Sequence, residues 1–162
     1  MKRAPRFFLT GLIGIVALTG CETVPQGIQA AKLEAARQIA AEAPGDYFIG
    51  RRYYKPDFKF WGYVRRPGEP WTKAQMVMLN EKQKLAPDRE KQTFGFDNNY
   101  EYKLFGYFTG ERVYEPASNT IYPEFVLKGY ELISTNPVPI FKSQVDERAR
   151  AATTRYTIEH PE

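Results

Sequence analysis

Tyr100-Glu101-Tyr102-Lys103-Leu104-Phe105-Gly106-Tyr107-Phe108 (YEYKLFGYF) is the stretch that decides the fold. Aromatic residues crowd it, and it reads as the best strand in the chain. Gly106 interrupts it. Glycine inside a strand weakens it and marks a bulge, a bend or a close backbone approach. The same Gly-Tyr step recurs in Phe60-Trp61-Gly62-Tyr63 and in Leu127-Lys128-Gly129-Tyr130. Small closed barrels need such bends because their strands coil strongly. Three of them in three long strands predict a small barrel rather than a flat sheet. Their unequal spacing excludes a regular tandem repeat.

Outward from this stretch, residues 47–54 (YFIGRRYY), 58–66 (FKFWGYVRR) and 73–80 (KAQMVMLN) read as earlier strands, split by Pro56-Asp57 and by Arg66-Pro67-Gly68-Glu69-Pro70. Residues 81–99 read as a charged loop with a helical turn at Pro87-Asp88 and a turn cluster at Asp97-Asn98-Asn99. Thr109-Gly110 is expected to turn the chain into a short strand at 111–114, and 124–133 forms the last long strand. Pro137 and Pro139 close a β-barrel body over 46–141. The Ala-rich run 27–43 predicts a helix with Ile28, Ala31, Ala35 and Ile39 on one face, stopped by Pro44-Gly45. It is expected either to hold the body away from a surface or to pack on its own domain. Residues 142–162 read as a flexible or partly helical tail, with Ser143 and Asp146 placed to cap a short helix through Arg150.

The expected fold class is therefore mainly β: five or six strands in a small barrel, an Ala-rich helix before it and a short tail after it. Strand order and the 81–99 connection resemble an oligonucleotide/oligosaccharide-binding (OB) barrel. Gly106, Gly110 and the Tyr122-Pro123 step also resemble, loosely, the late strands of the Slp-type outer-membrane lipoproteins.

Lys2, Arg3 and Arg6 precede an apolar run from Phe7 to Leu18 and then Thr19-Gly20-Cys21, the chain's only cysteine. The run is shorter than the roughly twenty apolar residues that span a bilayer and fits the apolar part of a secretory signal over 1–20. Leu18, Thr19, Gly20 and Cys21 resemble the lipobox of bacterial lipoprotein precursors. The resemblance implies cleavage before Cys21 and acylation of its thiol. Residues 21–45 would then form a lipid-anchored tether and helix. The acyl chains would hold the chain at the bilayer, since each buried methylene contributes about 0.8 kcal/mol. Glu22 in place of Asp implies outer-membrane sorting.

The formal net charge of +4 includes those three leader cations, so the remainder is nearly neutral and does not read as a nucleic-acid binder. No disulfide can form within the chain. His160 lies near the C-terminus, the serines lack a nucleophile-elbow context, zinc-ligand spacing is absent, and no cofactor motif is present. The expectation is a non-enzymatic protein with no catalytic residues, no metal and no cofactor. The alternatives are a periplasmic hydrolase, with Asp97, Glu101, Glu111, Glu115 and Glu124 as carboxylate candidates, or an accessory subunit of an envelope assembly docked through the helix.

One surface stands out. Arg51, Arg52, Lys59, Trp61, Tyr63 and Arg65 fall in a basic and aromatic stretch opposed only by Asp57. Alternation puts Phe58, Phe60, Gly62 and Val64 in the core and turns Lys59, Trp61, Tyr63 and Arg65 outward. An outward strip of rings and cations suits stacking on sugars and holding anionic groups. These six residues are the predicted ligand contacts, for an envelope protein or for peptidoglycan or polysaccharide.

Overall fold

A computed structural model describes residues 26–58, 60–154 and 157–162. The leader, Cys21 and Lys59 therefore lie outside the described residues. Five strands, β1 (Phe48–Arg52), β2 (Trp61–Arg65), β3 (Gln75–Asn80), β4 (Glu101–Glu115) and β5 (Thr120–Ser134), close in the order β1-β2-β3-β5-β4. All neighbouring pairs are antiparallel except β3 and β5, which run parallel. This five-stranded closed barrel with its helix between β3 and β4 is consistent with an OB-like barrel. Helix α1 (Gln26–Ala40) precedes it, α2 (Pro87–Glu90) lies between β3 and β4, and α3 (Glu147–Ala152) belongs to the tail.

The glycines serve the barrel unequally. A methyl group on Gly106 would fall on the Val126 carbonyl oxygen and the Phe125 ring. The β4–β5 register shifts between Phe105 and Gly106, so glycine there permits both the bulge and the close approach. A Cβ on Gly62 would come within 3.3 Å of the Arg51 carbonyl oxygen. At Gly129 the nearest atom would be 3.5 Å away, an ordinary contact, so that glycine is not required by sterics.

The expected turn at Thr109-Gly110 does not form. Gly110 has φ 86°, and the ladder shifts between Phe108 and Arg112 before pairing resumes at Arg112↔Pro123. Residues 109–111 bulge and β4 continues. The chain reverses at Pro116–Asn119 instead, where the Glu115 carboxylate accepts the amides of Ala117 (3.0 Å) and Ser118 (2.7 Å) and Asn119 takes φ 51°. Two expected strands are thus one, and the count is five.

Two apolar layers result. The barrel interior holds Phe48, Val64, Val77, Leu79, Tyr102, Leu104, Phe125 and Leu127. A second cluster lies on the outer wall: Ile49, Tyr53, Phe58, Trp61, Tyr63, Trp71, Tyr122, Ile140 and Phe141, with Ile39 and Ile158 against it. Antiparallel sheets commonly leave one face solvated, yet every residue of β1 and β2 is buried. The cover comes from α1, from residues 138–141 and from the tail. The face of α1 expected from its sequence, Ile28, Ala31, Ala35 and Ile39, is the half-buried one. A bidentate pair from Arg65 to Glu42, 2.7 Å on both arms, ties the chain just beyond the helix to β2.

Candidate functional site

The predicted ligand strip is present, but it is not a surface. Trp61 is 0% exposed, Tyr63 1%, Arg51 2%, Arg65 2% and Arg52 4%. The alternation itself is correct for β2: Gly62 and Val64 point into the barrel, and Trp61, Tyr63 and Arg65 point out. What the pattern could not contain is the layer laid over them by residues far along the chain. Phe58, assigned to the interior, instead stacks on Trp61 at 4.0 Å between ring centroids. Phe60 is exposed. Trp61 also meets Tyr122 edge-on at 5.1 Å, and Phe141 lies 5.4 Å from both Tyr53 and Tyr63. Each such ring pair adds about 0.5–1.5 kcal/mol beyond the area it buries.

The tail completes this cover. The hydroxyls of Tyr53 and Tyr63 donate to the backbone carbonyls of Thr157 and Glu159, and Lys55 Nζ donates to the carbonyls of Thr154 and Thr157. Glu159 accepts from the Ser143 amide at 3.2 Å and from Ser143 Oγ at 2.7 Å. Burial pushes the Tyr53 hydroxyl up to about 12 and the Tyr63 hydroxyl higher still, so both remain protonated donors. A tail expected to be flexible or partly helical carries the short helix α3, and its described end is fastened to the barrel. Its short helix is capped three residues later than Ser143, by Asp146, whose carboxylate accepts from the Arg148 amide at 2.8 Å.

The cations separate by strand parity. Arg52 points inward to the barrel end. It reaches Asp88 at 2.7 Å and Asp97 at 3.2 Å, both carboxylates 0% exposed, and donates to the Trp61 carbonyl at 3.3 Å. Burial raises the Asp97 carboxyl above its ordinary value, and Arg52 opposes the shift. The two carboxylates share one buried guanidinium and meet no substrate-sized space. Arg51 points outward, to Glu101 at 2.7 Å, Asn99 at 3.0 Å and the Val138 carbonyl. Its guanidinium lies 5.0 Å from the centre of the Trp71 ring, and that of Arg65 lies 4.6 Å from it. Burial lowers the Arg51 pKa, against the pull of Glu101.

Beside this pair is a cavity of about 610 Å³ between α1, the outer wall of the barrel and residues 133–140. Ile39, Ile49, Trp71, Ile133, Val138 and Ile140 form much of its wall. A volume of that size lies within the range of about 300–1,000 Å³ common to small-ligand sites. Its charged lining groups are Lys32, Glu42, Arg51, Glu101, Lys103 and Glu162. Each is already paired: Lys32 with Glu162, Glu42 with Arg65, Arg51 with Glu101, and Lys103 with Glu131. The wall offers apolar and aromatic contact and a neutral polar rim, with no unpaired acid or base. Of the five predicted contacts among the described residues, only Arg51 lines it.

The hydrolase carboxylates are held by different partners, and Glu111 is exposed on the β4 bulge. Asp97 is sealed with Arg52, Glu101 is held by Arg51, Glu115 caps the hairpin turn, and Glu124 accepts from Asn80 Nδ2 at 2.8 Å. Among the described residues no group of His, Cys, Asp and Glu is placed to hold a metal ion, and no helix is long and apolar enough to cross a membrane. Sequence reading missed the cavity because Trp71, α1 and residues 133–140 are distant in the chain. The one local hint was Trp71 following Pro70 in a segment that otherwise reads as a break.

No family model matches the chain, and no curated protein or solved structure matches it.

Proposed function

We propose that this chain is a lipoprotein of the bacterial cell envelope, anchored through acylated Cys21 and acting as a non-enzymatic binding module for an envelope protein or glycan. Its ligand seat, on this reading, is the cavity under α1. The observation that carries the binding reading is the state of the cavity's charged groups. All six lie within ion-pair distance of an opposite charge, which suits recognition by shape and apolar contact. The anchor rests on the sequence: a basic start, a short apolar run and a small pair before the sole cysteine. Outer-membrane placement rests on Glu22.

In OB barrels the face of strands 2 and 3 commonly carries the oligonucleotide or oligosaccharide. Here the outer side of β2 is under the aromatic layer and the tail. That cover supports moving the seat from the predicted strip to the neighbouring cavity.

The test is capture from envelope extracts by the acylated protein, with protein and glycan fractions resolved, compared with Ile39→Trp, which fills the cavity from the helix side. Loss of a captured species with Ile39→Trp, at unchanged acylation and thermal midpoint, supports the reading. Equal capture by both proteins, or the absence of labelled palmitate on wild-type Cys21, overturns the part concerned.

A further inference from the structure

The aromatic wall under the tail has the features of a peptide-docking groove. Its polar contacts to the tail go to main-chain carbonyls, those of Thr154, Thr157 and Glu159, through Lys55, Tyr53 and Tyr63. Such contacts are indifferent to the identity of the residues they hold. Among the described residues at the end of the tail, Glu162 pairs with Lys32 of α1 at 3.3 Å, and two further side chains are read on this side of the barrel. Ile158 packs against the outer aromatic cluster that contains Tyr53, Trp61 and Tyr63, and the Glu159 carboxylate is forked onto the amide and hydroxyl of Ser143. The described tail joins no strand ladder. Its backbone connection to the rest of the chain at this point is the Glu162 amide on the Ile140 carbonyl, at 2.8 Å.

The two sides differ in what holds them. β1 and β2 are paired on both edges, and their residues are buried on both faces. In the tail, Thr157, His160 and Glu162 are exposed, while Ile158 and Glu159 are half-buried. Segments with few buried apolar contacts open at much lower free energy than the core they lie on. Once the tail leaves, the Tyr53 and Tyr63 hydroxyls and the half-buried Lys55 ammonium lose their acceptors on the outer wall and need new ones. A water-filled surface satisfies the donors but not the rings. A second extended chain satisfies both.

We propose that the outer face of β1 and β2, with Ser143 at its rim, is a docking groove for an extended peptide segment bearing an aliphatic residue followed by an acidic one, and that the described end of the tail, residues 153–154 and 157–162, is its resident occupant. The inference goes beyond the binding-module reading, because it holds whether or not the cavity takes a ligand. A partner segment enters by presenting carbonyls to Tyr53, Tyr63 and Lys55, an aliphatic side chain to the rings and a carboxylate to Ser143.

The probe is a fluorescein-labelled peptide with the sequence of residues 153–162, read by anisotropy against the full mature chain. Two variants release the tail: Ile158→Asp, which removes the apolar contact, and Glu159→Lys, which breaks only the Ser143 fork and leaves the core packing alone. Both are checked for native circular dichroism and thermal midpoint. At least tenfold tighter binding to a folded variant than to wild type is expected, together with no binding of a control peptide carrying Asp-Lys in place of Ile-Glu. Absence of binding to every folded variant overturns the proposal, as does equal affinity for wild type and variants, or equal binding of the control peptide. Self-association of the chain that the peptide dissolves also supports the groove, with a second copy's tail as its occupant.

Discussion

Replacing Arg52 by Met should cost this protein a large part of its stability. Arg52 bridges Asp88 and Asp97, at 2.7 and 3.2 Å, and both carboxylates are fully buried. Methionine keeps much of the side chain's volume and removes its charge, leaving two carboxylates without their counterion. Breaking a buried pair from one side costs about 3–5 kcal/mol, because the remaining charge stays desolvated. A domain of this size has about 5–15 kcal/mol in total. With a urea slope of about 2 kcal/mol/M, the unfolding midpoint should fall by about 2 M. The assay is urea unfolding by far-UV circular dichroism at pH 7. The deficit should shrink on acidification. Burial already holds the Asp97 carboxyl above its unfolded value, so its favourable contribution is full below about pH 4 and is lost as pH rises through the folded value. Without Arg52 opposing it, that loss is larger. Arg52→Met combined with Asp88→Asn and Asp97→Asn should recover most of the midpoint. A drop below about 0.5 M for the single variant, or a deficit that grows as pH falls, would refute the reasoning.

The remaining predictions concern the glycines, the clamp and the anchor. Gly106→Ala should destabilise by about 1–3 kcal/mol by calorimetry, because its methyl meets the Val126 carbonyl rather than a movable side chain. Gly129→Ala, facing only Phe105 at 3.5 Å, should change stability by much less. Glu42→Gln leaves Arg65, whose side chain is 0% exposed, without its carboxylate partner, and proteolysis should then cut the α1 segment faster while the barrel persists. Cys21→Ala should abolish labelled palmitate incorporation and release the protein from membranes; membrane retention at the wild-type level would count against the anchor.

The barrel was legible in the sequence because its signals are local. YEYKLFGYF, the Gly-Tyr steps and the Pro-Gly breaks each report on a few neighbouring residues, and the strands lie close to where those residues put them. The helix face Ile28, Ala31, Ala35, Ile39 was legible for the same reason. Gly110 misled because a glycine with positive φ serves a bulge as well as a turn, and only the partner strand tells which. The larger error concerned Trp61, Tyr63 and Arg65. Their parity correctly placed them outside the barrel, but outside is not the same as exposed. The chain's own residues cover them from Phe141, Ile158 and Glu159, about a hundred residues downstream. A physical hint existed: Tyr53, Trp61 and Tyr63 together make a contiguous aromatic patch, and such patches are commonly covered by a partner or by the chain itself. Such a patch asks for a cover, and the weak alternation of Thr153 to Ile158 was the segment available to supply it.

Residue-resolved nitration of the full mature chain tests this sealed aromatic layer most directly. With tetranitromethane and peptide mapping, Tyr107 and Tyr114, 42% and 55% exposed, should be modified, while Tyr53 and Tyr63, at 6% and 1%, should stay protected. Modification of Tyr63 at the rate of Tyr114 in the folded wild-type chain would contradict it.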